Sequence, residues 1–296
     1  MFLVLGNVTI DEAMEAQSWP VAGQTVVVGP PRRDLGGKGA NQALMLSRTG
    51  APVRFVAAVG RDAEGEWIVS RLRELALAAD LVRVEAPTDR SLIFVNPAGE
   101  NAIASTIGAA AALTADFARK AAGALGLDGL LLMQGNLSLE ATRAALASAR
   151  AAGARTAFNP SPLQPGAAAL LPLVDLLVVN QGEAERLGGA SEPEAAAHAL
   201  RRAGAGAVAL TLGARGSLFV DATESIRTQA LPARVVDTTG AGDAFAGVLV
   251  GALYHRRLAP SEALAAATAA AAIAVQRPGA VSAFPSREEL DAIFAR

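Results

Sequence analysis

Asp237-Thr238-Thr239-Gly240-Ala241-Gly242-Asp243-Ala244-Phe245 decides how the rest of this chain is read. An apolar run, residues 233–236, leads into it and is expected to be extended. An alanine- and valine-rich pattern of helical period, residues 244–254, leads out. The glycines therefore stand where a loop becomes the first turn of a helix, with N–H groups that have no partner inside the helix. Free donors and the positive end of the helix dipole point the same way, so such a terminus attracts an anion. Glycine lets a phosphate approach the backbone closely. Asp243, in the same turn, would be repelled by that phosphate and needs a reason to be there. It is either a general base that takes a proton from an attacking hydroxyl, or a solvated aspartate following a glycine-rich loop. Spacing alone leaves both open.

With 296 residues and 52% hydrophobic content, the chain can bury a large α/β core. A formal charge of −2 gives no basic field for nucleic acid or an anionic membrane, so a small-molecule partner is expected. The absence of cysteine excludes disulfides, thiolate nucleophiles and cysteine-ligated zinc, and fits a cytoplasmic location. The opening apolar run reads as a first core strand rather than a signal peptide. Residues 263–275 fall short of the roughly twenty apolar residues a bilayer span requires and read as a buried helix.

Along the chain, residues 2–5 read as a strand and 7–11 as the loop beyond it. The β-branched run 24–28 suggests a small separate sheet. Helices are expected at 38–49 and 64–77, around a strand at 53–59. Strands at 92–95 and 102–105 are joined by a hairpin signal at 96–100. From Thr114 onward, helices alternate with apolar strands at 130–133, 156–158, 176–179 and 208–212, the pattern of a parallel sheet covered on both faces. Ser191 with Glu194, and Ser286 with Glu289, have capping-box spacing. His198 and His255 read as surface residues, and neither a catalytic triad nor a dinucleotide fingerprint has support.

Polar residues gather at the expected strand ends, at 7–11, 134–136, 159–161, 180–183 and 237–243, where open α/β sheets bind ligands. Gly36-Gly37-Lys38-Gly39-Ala40-Asn41 lacks the serine or threonine of a P-loop. It does allow a tight backbone against a polyhydroxy ligand, with Asn41 able to read a hydroxyl pair and Asp11 to accept from two hydroxyls. Glu183 could hold the water shell of magnesium, or belong to a helix cap.

Gly36–Asn41 and Asp237–Phe245, in this order and at this separation, resemble the two signatures of the ribokinase-like (PfkB-type) carbohydrate kinases. Asn180-Gln181-Gly182-Glu183 resembles the family's N-x-x-E motif, and Thr211-Leu212-Gly213-Ala214-Arg215-Gly216 its nucleotide-binding turn. The likeness runs from Phe2 to about Phe294 and is closest to the ribokinase branch. It implies a single domain over residues 1–296 with a three-layer α/β/α fold, a mostly parallel central sheet and a small β-sheet lid. The lid would come from segments near 11–35 and 88–106, and would join a homodimer.

The resemblance also implies residue roles. Asp243 would be the base, with the Gly240, Ala241 and Gly242 amides facing the transferred phosphate. Thr9, Asp11, Gly37, Lys38, Asn41 and Asn136 would meet the sugar. Asn180, Thr211, Gly213, Gly216, Gly242 and Thr268 would meet ATP, with Mg2+ held near Glu183 through water. A K+ site would use Asp237, Thr239, Ala274, Arg277, Gly279 and Ala283, mostly by backbone oxygens. The implied reaction moves the γ-phosphoryl group of ATP to a primary hydroxyl of a small sugar, for ribose O5. Thr9 stands where ribokinases usually have asparagine, Asn136 where they have glutamate, and Ala283 where serine is frequent. Other sugars, a sugar acid or a nucleoside thus stay open, as does a non-catalytic sugar- or nucleotide-binding regulator. Asp89-Arg90 offers either an anion-binding guanidinium or an exposed ion pair.

Overall fold

The computed structural model describes residues 1–96 and 101–295. Among the described residues the chain forms thirteen strands. In the first third these are β1 (Phe2–Leu5), β2 (Thr9–Glu15), β3 (Arg32–Gly36), β4 (Val53–Gly60), β5 (Ala79–Val84), β6 (Arg90–Val95) and β7 (Asn101–Ser105). The rest supply β8 (Leu130–Gln134), β9 (Arg155–Asn159), β10 (Leu176–Asn180), β11 (Ala207–Thr211), β12 (Ser217–Val220) and β13 (Ser225–Thr228). Nine form one sheet in the order β13-β12-β11-β10-β9-β8-β1-β4-β5. Its strands are parallel except β12, which runs antiparallel to both of its neighbours, β11 and β13, near one edge.

Strands buried on both faces need apolar residues at every position, and β8 reads Leu-Leu-Leu-Met-Gln with all five buried. Alternate residues enter different cores. Phe2, Val4, Leu130 and Leu132 pack with the helices Lys38–Arg48, Ala241–Val250 and Pro260–Ala274. Leu3, Leu5, Leu131 and Met133 pack with Ala115–Gly123, Leu139–Ala151 and Pro193–Arg202. The result is a three-layer α/β/α domain. Strand β1 lies between β4 and β8, so the chain's direction of progress across the sheet reverses beside it, the place where such sheets open a crevice.

The other four strands form a small mixed sheet, β3-β2-β6-β7, beyond the carboxyl end of β1. Here the sequence reading needs correction. Residues 24–28 are not a strand. Val28 makes one isolated bridge with Ala16, and Val27 stays 87% exposed, so this β-branched run has no face to bury. Its place is taken by β3, where Leu35 is buried. Residues 9–11, read as loop, begin β2, because Val8 and Ile10 are buried and anchor the segment. The turn expected at 96–100 lies mostly outside the described residues. Residues 233–236 pair in neither sheet among the described residues, and Val235 and Val236 are exposed.

Ser286 and Glu289 form the expected capping box. Ser191 does not cap its helix. Pro193 occupies the first helical turn, so the boundary moves on by one residue and Glu192 accepts from Ala195 N. Both histidines are exposed. Among the described residues no helix is long and apolar enough to cross a membrane.

Helices Lys38–Arg48 and Ala241–Val250 meet almost backbone to backbone. A Cβ added at Gly247 would stand 2.7 Å from Met45 Cβ and 2.8 Å from Gln42 O. Gly247→Ala gains up to about 1 kcal/mol of helix propensity, but overpacking costs about 1–3 kcal/mol. A lower urea midpoint with an unchanged m-value is therefore expected. A rise in midpoint would mean that the two helices separate freely.

Candidate functional site

Gly240, with φ 76°, turns the chain into the helix Ala241–Val250, and Asp243 follows in its first turn, 3% exposed. An isolated buried carboxylate is costly; this one is surrounded by donors. Asn41 Nδ2 donates to Oδ2 at 2.9 Å, and Gln42 Nε2 to Oδ1 at 2.9 Å. Lys38 Nζ lies 3.7 Å from Oδ1. The three donors come from one turn of the helix Lys38–Arg48, whose start is tied to the end of β1 where Gly39 N donates to Asn7 Oδ1 at 3.2 Å. Asn41 Oδ1 is buried without a hydrogen-bond partner, as is Asn136 Oδ1 just beyond β8.

Thr9 and Asp11 enter from β2. Thr9 Oγ1 donates to Asp11 Oδ1 at 2.7 Å, and Ser91 Oγ to Thr9 Oγ1 at 3.4 Å. The Asp11 carboxylate lies over Gly36, where a Cβ would come within 2.0 Å of its Cγ. Burial pushes Asp11 up to about 6, with Asp34 and Asp243 adding repulsion and the Thr9 and Ser91 hydroxyls opposing both.

A cavity of about 490 Å³ opens beside the same helix start. Thr211, Gly213, Gly216 and Thr268 line it, together with Ala241 and Gly242, the two residues before Asp243. Other parts of its wall carried no signal in the sequence: the segment from Ala230 to Ala233, Val235 from the apolar run before the anion loop, and Ser217, whose hydroxyl lies 2.7 Å from that of Thr268. Asn180 does not line the cavity. It caps the helix Gln181–Gly188 reciprocally with Glu183, each side chain accepting from the other's backbone N–H at 2.8 and 2.9 Å. Glu183 is 4% exposed, so the cap is a buried one. Arg215 reaches across to Gln181 and ties the two turns together.

Asp237 accepts from Thr239 N and Gly279 N, both at 2.9 Å, and so binds the anion loop to the loop after the helix Pro260–Ala274. Ala274 O accepts from Arg277 N, while the Arg277 side chain turns away to Glu289. Ala283 is buried and brings no side-chain oxygen. Two contacts join the small sheet to these loops: Asn101 Nδ2 donates to Thr239 Oγ1 at 3.0 Å, and Ser282 N to Asp34 Oδ2 at 3.1 Å. The Arg90 guanidinium is held by Glu64 and Glu12, an exposed ion-pair group. Asp89 is buried and accepts from Ala109 N and Ala110 N.

Residues 2–287 match the family described as pfkB family carbohydrate kinase. The chain is 33% identical to ribokinase of Mus musculus, over 97% of its own length and 93% of that protein. Ribokinase of Thermotoga maritima superposes with a TM-score of 0.88 at 31% identity, with 100% and 99% of the two chains covered. Ribokinase of Arabidopsis thaliana, complexed with ribose and ATP, superposes with a TM-score of 0.85 at 27% identity, with 100% and 98% covered.

The weakened acidity of Asp11 has a stability consequence. Between 3.8 and about 6 the folded chain keeps a proton that the unfolded chain has lost. This group's contribution is therefore most favourable at low pH and is withdrawn as pH rises through about 6. Asp11→Asn should raise the urea midpoint at neutral pH and change it little near pH 4. An equal effect at both would show that Asp11 titrates normally.

Proposed function

The chain belongs to the pfkB family of carbohydrate kinases, phosphotransferases with an alcohol group as acceptor, and from that premise we propose that it phosphorylates ribose at O5 with ATP. The observation that carries this reading is the place of Asp243. It directly follows Ala241 and Gly242, which line the cavity, and lies close enough to Asp11 to repel its carboxylate. The sugar would rest against Thr9, Asp11, Gly37, Lys38, Asn41 and Asn136. The unpartnered Asn41 and Asn136 oxygens suit a ligand rich in hydroxyl donors. The purine would enter the cavity between Thr211, Gly213, Gly216 and Thr268, with its phosphates running toward the Gly240–Gly242 turn.

In this geometry the primary hydroxyl oxygen attacks the γ-phosphorus as the bond to the bridging oxygen of ADP breaks. The hydroxyl proton passes to Asp243. Each Asp243 oxygen already accepts one side-chain hydrogen bond, so the proton takes a remaining lone pair. The Gly240, Ala241 and Gly242 amides meet charge on the transferring phosphate. Glu183, with one oxygen engaged in its cap, would hold a water of Mg2+ with the other, and that ion, bound with ATP, would supply charge neutralisation to the phosphates. For K+, the carboxylate of Asp237 and backbone oxygens of Thr239, Ala274, Arg277, Gly279 and Ala283 would supply a hard, oxygen-only donor set. A homodimer would use the small sheet, which leaves Leu92 and Ile103 exposed. A cytoplasmic setting suits a cysteine-free chain.

ADP release from Mg-ATP across a panel of sugars, sugar acids and nucleosides, with and without K+, tests the reading. Ribose should be the best acceptor, and silence across the panel would overturn the kinase assignment for this chain. Asp243→Asn should lower turnover about 10²- to 10⁴-fold with sugar binding kept. Near-normal turnover would remove Asp243 from the role of base. Because ionised Asp11 can accept from two sugar hydroxyls and protonation takes away part of that capacity, sugar affinity should fall as pH drops below about 6. Calorimetry showing a flat profile would separate Asp11 from sugar binding.

A further inference from the structure

Gln42 follows the glycine-rich segment by one residue and is 0% exposed, so no ligand can reach it. All its hydrogen-bonding capacity toward the site is nevertheless used. Nε2 donates to Asp243 Oδ1 at 2.9 Å and to Asn159 Oδ1 at 3.0 Å. Its Oε1 accepts from Gln134 Nε2 at 2.9 Å. Asn159 is fixed in turn, since its Nδ2 donates to Val178 O at 2.8 Å. This wiring admits one orientation of the Gln42 amide: turned over, it would set its oxygen against the oxygens of Asp243 and Asn159. Gln134 stands at the end of β8 and Asn159 at the end of β9. The sheet therefore holds the Gln42 amide, and the amide holds one oxygen of Asp243.

We infer that Gln42 is a positioning residue for phosphoryl transfer, which fixes the plane of the Asp243 carboxylate through an amide locked by Gln134 and Asn159. The inference rests on the reading of Asp243 as the base. Asn41 holds the opposite carboxylate oxygen, and Lys38 Nζ stands 3.7 Å from the oxygen that Gln42 holds, so without Gln42 that oxygen keeps no close donor and the carboxylate plane loosens.

The test compares Asp243→Asn, Gln42→Ala and Gln134→Met, using the best acceptor of the sugar panel, with kcat and KM measured and with sugar and nucleotide binding followed calorimetrically. Gln42→Ala is expected to lower kcat about ten- to a hundredfold, the equivalent of one hydrogen bond to a charged group. Both ligands should bind within a few-fold of normal, so the loss falls on kcat and not on KM. Gln134→Met leaves Gln42 in place but unlocks its amide. It should lower kcat by less with the same split, and it carries the test if Gln42→Ala does not fold. Normal kcat in a folded Gln42→Ala or Gln134→Met protein, with Asp243→Asn inactive, would overturn the role of Gln42 alone. Retained turnover in Asp243→Asn would overturn the base assignment and this inference together.

Discussion

A carboxylate buried at 3% exposure is the constraint around which this molecule is built. Left alone, the Asp243 carboxylate would destabilise its surroundings, because an ionised group is expensive away from water. The solution is two amide donors and a lysine from a single neighbouring helix. That solution demands close helices, and Gly247 and Gly251 supply the contact. A Cβ at Gly251 would come within 2.3 Å of Thr49 Oγ1. Packing, usually the domain of large apolar residues, here depends on side chains that are missing.

Much of this was legible in the sequence. The helix start at Asp243, the glycine segment before Asn41 and the alternation of the second half all follow from local chemistry. The residues around the nucleotide-sized cavity were found where a glycine marked them, as at Gly213 and Gly216. The segment from Ala230 to Ala233 stayed hidden because small and apolar residues outside any periodic element carry no pattern. Gln42 was hidden for another reason. It is a polar residue heading an apolar helical stretch, and only the assembled sheet shows that it links Asp243 to Asn159, one of the polar residues at the strand ends.

The misplaced strand in the first third has a physical cause. β-branched composition gives a strand only where a partner lies alongside: residues 24–28 gain no more than the single Val28–Ala16 bridge, whereas the polar strand Arg32–Gly36 gains a neighbour in β2. The small sheet is held from outside its own hydrogen bonds. Asn101 and Asp34 bind it to the loops on which Asp237 closes, and each loop is reached through one Asp237 oxygen. Sugar-side and phosphate-side surfaces thus share a single anchoring carboxylate.

The alternation of residues between two cores also bears on how the chain avoids misassembly. In a strand with one wet face, a one-residue slip exposes apolar side chains and is penalised at once. In β8, apolar on both faces, a slip would merely exchange one core for the other. What distinguishes the correct alignment is the polar end. Gln134 meets the Gln42 amide, and Asn159 meets both that amide and Val178 O, only when their strands are seated as observed. The side chains that support the chemistry therefore also act as registration marks for the sheet. Replacing them with apolar residues would loosen the choice among alternative folds even where it left the native one stable.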